Sequence, residues 1–339
     1  MKAFVFFTLI TLLSSQLKAQ HSMVEPFQVR AQKLGLVYVT DISLPGGPVR
    51  FDYQSISPAQ PRLYISHMGA NSVIVFDLES RKIVGEVRGI PAPTGILNVP
   101  SLNRVYVSAS AANKIYVVNS SNLKVVGTIR TRRFPDGIAL DPVNDRLFVS
   151  DEVGKSVTVI DTHTDKVVAN IAMDGEVGNT HYDSSSGLVY STVQTRDELV
   201  AIDPNTLKIL KRYKLAGCKG PHGFYLDAAA RCAIITGEDN ASYIVFDLTS
   251  HKIIARGSVG NGPDVLAFDH STHQLYVASE SGVVTVLKLE GQKIEKTGQA
   301  FFEEHAHTVS VDEKSHLVLF PLQNLGGRPV LRIMKEIGQ

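Results

Sequence analysis

Tryptophan is absent from this sequence, and cysteine occurs only twice, at Cys218 and Cys232. Two cysteines cannot staple a disulfide-rich scaffold. Neither lies in a C-x-x-C or C-x-x-C-H motif, which excludes a thiol-redox pair, a zinc knuckle and a c-type haem attachment. Net charge is equally scarce, since 34 Lys and Arg stand against 33 Asp and Glu. That balance argues against a protein that works by neutralising phosphates, so no nucleic-acid partner is expected. Beyond the first twenty residues no apolar run approaches the ~18 residues of a spanning helix, so no membrane span is expected. No segment sustains a 3.6-residue hydrophobic period.

What is present begins with MKAFVFFTLITLLSSQLKAQ. Lys2 supplies a positive start, Ala3 to Leu13 an apolar run too short to span a bilayer, and Ala19 a small residue suited to cleavage. Residues 1–19 therefore read as a signal peptide and 20–33 as a lead-in, which predicts a periplasmic or secreted protein.

Seven short motifs then recur: RLYIS (62–66), RVYVS (104–108), RLFVS (146–150), LVYST (188–192), AIIT (233–236), QLYVAS (274–279) and LVLF (317–320). Their central residues, Ile65, Val107, Val149, Tyr190, Ile234, Val277 and Leu319, are spaced by 42, 42, 41, 44, 43 and 42 residues. Each unit holds four segments. A Pro-led segment such as PDGIALD (135–141) opens it, and the motif follows. Next comes an alternating run ending at Asp77, Asp161, Asp203 or Asp247, with Asn119 in one unit, and last a Lys-led apolar run such as KVVGTI (124–129). Period-two alternation with β-branched residues between turns predicts four strands per unit, and units of this length are blades of a β-propeller.

The ends support a closed ring. After Leu319 the seventh unit supplies PVLRIM (329–334) and no fourth strand, while LGLVYVTDISL (34–44) precedes PGGP as other fourth strands precede their Pro-led segments. The predicted fold is all-β: one seven-bladed propeller domain over 34–339, four antiparallel strands per blade, its last blade completed by the N-terminal strand. A closed ring is expected to act as a monomer. Cys218 and Cys232 fall at opposite ends of one hairpin, ~20 Å apart at about 3.3 Å per residue, so two free thiols are expected.

The pattern P-x-G-x-x-x-D, R-L-Y-V-S, V-x-V-I-D-x-x-T-x-K-V-V resembles the YVTN repeats of YncE-like bacterial propellers, most clearly in PDGIALDPVNDRLFVSDEVGKSVTVIDTHTDKVVANI (135–171). The resemblance spans about residues 34–337 and implies the fold rather than a function. Without Trp, a Trp-Asp repeat is excluded, as are the Trp-rich blades of quinoprotein dehydrogenases and their pyrroloquinoline quinone.

Repetition separates scaffold from site. Asp77, Asp161, Asp203 and Asp247 each stand five residues before a Lys and read as turn residues. In a propeller the first strand lies innermost and the second runs antiparallel to it, so starts of first strands and ends of second strands meet at one mouth of the channel. Starts are Arg50, Thr94, Asp136, Asn179, His222, Asp264 and His307; ends are His67, Ala109, Asp151, Val193, Glu238, Glu280 and Pro321. His305 and His181 lie nearby in sequence, and QNLGGRPV (323–330) reads as a longer Gly-rich loop carrying Arg328 at this mouth.

Three functions fit such a mouth. Arg50, His67, Asp136, Asp151, Asp264 and His305 could bind a small molecule or protein ligand. His222 or His307 could act as general acid or base, oriented by Glu238 or Glu280, in a lyase or lactonase. PHGF (221–224) and ITGED (235–239) resemble elements of streptogramin-lyase-like propellers. His67, His222 and His307 could hold a divalent metal, imidazole being suited to Zn or Cu. Asp136 and Asp264 share a P-D context and fit scaffold as well as site.

Overall fold

A computed structural model describes residues 25–338. The expected signal peptide lies outside the described residues. Seven four-stranded antiparallel sheets form in sequence order. Blade three shows the pattern: Pro135–Asp141, Arg146–Asp151, Ser156–Asp161 and Lys166–Ala172 pair in turn. First strands of neighbouring blades touch all round the axis, and Gln54–Ile56 of blade one meets both Pro93–Val99 of blade two and Ser310–Asp312 of blade seven, which closes the ring. The seventh sheet consists of Ser310–Asp312, Leu317–Leu325, Arg328–Glu336 and, outermost, Leu36–Ser43. The N-terminal strand therefore completes the last blade, as expected. Among the described residues no helix is long and apolar enough to cross a membrane.

The blades cohere through their second strands. Tyr64, Tyr106, Phe148, Tyr190 and Tyr276 stand third in that strand and are at most 2% exposed. Each wedges between two sheets, where burying one large side chain contributes about 1.5–3 kcal/mol. The Arg that opens the strand staples its blade to the next: Arg62 donates to the Ser120 carbonyl at 2.9 Å, Arg146 to the Pro204 carbonyl at 2.5 Å, and Arg104 to Asp165. The repeated Asp behaves as a turn residue. Asp161 accepts from the His163 and Thr164 amides, and Asp77, Asp203 and Asp247 do the same in their blades.

Three details depart from expectation. The lead-in forms a short helix, Phe27–Lys33, whose Ala31 joins the core between blades six and seven; Gly298 lets the Lys33 carbonyl come close to its own backbone. Asp41 accepts two bonds from Arg332, at 2.8 and 2.7 Å, and Arg332 lies 4.2 Å from the Phe27 ring centroid, so helix, first strand and last strand are tied together. Finally, 323–330 is not a loop. Leu325 pairs with Arg328 across Gly326–Gly327, both at positive φ, giving a tight hairpin turn that extends the blade. Cys218 and Cys232 are buried free thiols in different core clusters.

Candidate functional site

Pairing registers fix which residues are equivalent at the mouth. Ile138 opposes Val149, fourth in its strand, and the equivalent fourth residues are Ile65, Val107, Ser191, Ile235, Val277 and Phe320. Two residues ahead of each partner stands an equivalent position, inside a bulge in blades two to six: Asp52, Thr94, Asp136, Gly178, His222, Asp264 and His307. The sequence reading placed five of these correctly. In blade one the equivalent position holds Asp52, two residues after Arg50, which also lines the recess, and in blade four it holds Gly178 rather than Asn179. Those two blades, like blade seven with Ala306, lack the opening Pro that marks the register in blades two, three, five and six.

The second strands needed a similar correction. Their sixth residues include His67, Ala109, Asp151 and Val193, all fully buried. The seventh positions, just past the strand, are Met68, Ser110, Glu152, Gln194, Glu238 and Glu280. Alternation sends sixth and seventh residues to opposite sides. Thus Glu152, not Asp151, is the equivalent of Glu238 and Glu280.

These two rings enclose a recess of about 210 Å³. Its walls carry six carboxylates, Asp52, Asp136, Glu152, Glu238, Asp264 and Glu280, with Arg50, His222, Tyr53, Met68 and Phe134. Tyr53 forms the floor. It stands where blades two, three and five carry Gly95, Gly137 and Gly223, and it reaches across the axis. Its hydroxyl lies 3.2 Å from His222 Nε2 and accepts from Asn179 Nδ2 at 2.9 Å. Below this plug lies a second cavity of about 370 Å³, lined in part by Ile96, Ile138, Phe224, Leu266 and Val309. His181 belongs there, edge-on to Phe224 at 4.7 Å, and burial lowers its pKa to about 4.

His222 Nε2 is 3.2 Å from Asp264 Oδ1, and the Gln194 amide is 3.0 Å from Nδ1. Burial alone would lower the His222 pKa, but the hydrogen bond and charge of Asp264, with Asp136 and Glu238, carry it up to about 10. Burial likewise works against an ionised Asp264, yet His222, His307 and Arg50 hold that carboxyl below its ordinary value. Four other acids of the recess move the other way. Burial and the charges of Asp136 and Asp264 push Asp52 well up; burial and Asp264 put Asp136 at about 6; burial and Asp136 put Glu152 at about 7. Glu238 is raised by burial and neighbouring acids. One fixed ion pair thus sits beside two carboxyls, Asp136 and Glu152, that titrate at about 6 and about 7.

The other expected residues fall as follows. His67 stacks on Phe51 at 4.0 Å and has no hydrogen-bond partner for either ring nitrogen; burial lowers its pKa. It packs beneath Gly46 and does not line the recess. Asp151 accepts from Ser156, Thr158 and the Arg132 amide, with its pKa raised by burial to about 6. His305 is exposed, 3.9 Å from Glu280. Arg50 reaches Glu280 at 2.6 Å and Asp264 at 3.7 Å.

Among the described residues His67, His222 and His307 do not form a ligand group; the donor set that converges is Asp264, Glu280 and His307, within 4.8 Å of one another. His307 is 1% exposed, with Nδ1 2.9 Å from the His305 carbonyl and Nε2 3.1 Å from the Phe51 carbonyl. Carbonyls only accept, so only a ring protonated at both nitrogens satisfies both contacts. With Arg50 already between Asp264 and Glu280, this trio fits a metal poorly.

The missed residues, Asp52, Tyr53, Phe134 and Glu152, carry one sequence signal. Counting each blade from the fourth residue of its second strand puts Glu152 in line with Glu238 and Glu280, and Tyr53 in the glycine position.

No family model matches the sequence, and no curated protein matches it. Solved structures do. A chain of Kuenenia stuttgartiensis hydrazine synthase superposes with a TM-score of 0.74 at 15% identity, covering 85% of this chain and 96% of that one. The WD40 repeats of RRP9 superpose at 0.73 with 10% identity, covering 88% and 99%. At such identities the likeness establishes architecture alone: the chain is a seven-bladed β-propeller.

Proposed function

We propose that this propeller is a binding protein whose mouth recess takes a small ligand bearing a positive group, an ammonium or guanidinium. The observation that carries this reading is the convergence of six carboxylates on about 210 Å³ floored by Tyr53. Arg50 and His222 offset part of that charge, and Tyr53 and Phe134 offer ring faces to a cation. The YVTN-type motif supports kinship with YncE-like propellers, and the leader-like first nineteen residues support export to the periplasm or exterior.

Calorimetric titration with alkylammonium and guanidinium compounds, alongside neutral isosteres, tests the reading. Saturable binding of the cations is expected, weakened about tenfold or more in a Glu152→Gln/Glu238→Gln variant. Equal affinity for the neutral isosteres would defeat it.

One observation favours a catalytic second reading. Glu152, at about 7, shares the recess with Asp136, at about 6. Carboxyls so tuned suit proton transfer at neutral pH better than His222, which stays cationic. In that reading Glu152 moves the proton and the His222–Asp264 pair supplies fixed charge. Recovery of chemically unchanged ligand after prolonged incubation would exclude it.

A further inference from the structure

Beside the acidic recess the same face carries a basic cleft. Arg130 ends the fourth strand of blade two, and Thr131, Arg132 and Arg133 lead into Phe134, which lines the recess. Arg130, Arg132 and Arg133 are exposed and, with Asn113, line a cleft of about 310 Å³. Among the described residues none of the three guanidiniums has a carboxylate partner, whereas Arg88, Arg104, Arg196, Arg212, Arg231 and Arg332 each have one.

The loop bearing them is held in place. The Thr131 amide donates to the Asn113 carbonyl at 3.0 Å, and the Phe134 amide to Asn113 Oδ1 at 2.9 Å. The Arg132 amide donates to Asp151 at 3.1 Å, and the Arg133 carbonyl accepts from Gly154 at 2.9 Å. Gly154 packs so tightly on Arg132 and Arg133 that a side chain there would collide with both. The buried Asp151 thus fixes the arginine backbone, and its other bonds go to Ser156 and Thr158.

A second, independent feature is a like-charge pair. Lys114 lies directly opposite Arg130 across the third and fourth strands of blade two. Blade four has Glu198 opposite Lys214 at the same register, 3.0 Å apart as an ion pair. Like charges directly opposite cost stability. Here the cost falls beside two more unpaired arginines, which is the arrangement a bound anion would relieve.

We propose that this cleft binds a tetrahedral oxyanion, phosphate or sulfate, held by the guanidiniums of Arg132, Arg133 and Arg130 with Lys114 behind them. The site is independent of the cation-binding reading of the recess. Titrate the full chain with inorganic phosphate, sulfate and phenyl phosphate, each at constant ionic strength in chloride. Saturable binding is expected, weakened about tenfold or more in Arg132→Ala/Arg133→Ala and unchanged in Arg256→Ala, which removes a solitary exposed arginine elsewhere. Lys114→Glu recreates the blade-four pair, so it is expected to raise the melting temperature without phosphate and to weaken phosphate binding. Tighter binding of phenyl phosphate points to an ester-borne group; equal binding points to the free ion. Absence of saturable binding, or equal affinity in Arg132→Ala/Arg133→Ala, overturns the proposal.

Discussion

The Tyr53 hydroxyl accepts a hydrogen bond from the Asn179 amide at 2.9 Å, joining blade one to blade four across the axis of the ring. Both residues replace the glycine found at this place in blades two, three and five. Tyr53→Phe keeps the plug and loses the hydroxyl, and should cost about 1–2 kcal/mol in urea unfolding. Tyr53→Gly also empties the axis and should cost about 3–5 kcal/mol. If the two variants unfold alike, Tyr53 is not the partition between the cavities.

Above pH ~4 the recess groups pull stability in one direction, opposed below pH 6.5 by the buried His181, at about 4, and by His67, also lowered. His222 titrates at about 10 in the fold against an ordinary 6.5, so its contribution is complete below 6.5 and lost as pH rises toward 10. Asp136 and Glu152, at about 6 and about 7, also hold protons more tightly than in the unfolded chain, so their contribution fades as pH rises from the ordinary 3.8 and 4.5 through those values. Asp264, held low, acts oppositely and only below 3.8. The melting temperature should therefore be higher at pH about 5 than at about 8.5, and Glu152→Gln should flatten the part of the curve below neutrality. A scan showing greater stability on the alkaline side would contradict these assignments.

Removing the partner of a buried charge is costly. Asp264→Ala leaves His222 enclosed without its carboxylate and should destabilise by about 3–5 kcal/mol. Ring-nitrogen shifts in NMR should show the His222 titration moving down toward its ordinary range. An unchanged titration would mean that Asp136 and Glu238 suffice to hold the proton.

Arg332→Ala should unfasten the seventh blade. Its side chain is 7% exposed and its guanidinium binds Asp41 in two places. Amide exchange in Leu36–Ser43 should accelerate far more than in Lys166–Ala172, the outer strand of blade three. Arg332→Lys should rescue only in part, because an ammonium cannot match both carboxylate oxygens. Uniform acceleration in both strands would show that the tie is not local.

Blade number, strand order and ring closure were legible in the sequence because strand alternation and turn residues repeat at near-constant spacing. The mouth was half legible. Where Pro marks the register, as before Asp136, His222 and Asp264, the positions at the mouth emerged correctly. Blades one and four have Phe51 and Val177 at that place, and there the reading slipped to Arg50 and Asn179. The spacing held the missing clue: aligned by pairing, the fourth residues run 42, 42, 42, 44, 42 and 43 apart, so taking Tyr190, Ile234 and Leu319 as centres misplaced three blades by one residue. In blade three the centre Val149 was right but the strand end was taken one residue early, and a one-residue offset moves a side chain to the opposite side, so Asp151 stood in for Glu152. The helix Phe27–Lys33 was missed because two turns are too short to display a period. The side chain of Tyr53 spanning the axis depends on distances between blades, which local pattern does not encode.

Closure by the strand Leu36–Ser43 has a consequence for how the molecule is made. Its partner, Arg328–Glu336, is the last of the described strands to be synthesised, with 291 residues separating Asp41 from Arg332, so the pairing must await it. Six blades can zip up from local hairpins while the first strand still has a bare edge. Until the two meet, that edge and the unfinished sheet are open to other chains, and loss of either strand would damage the same blade.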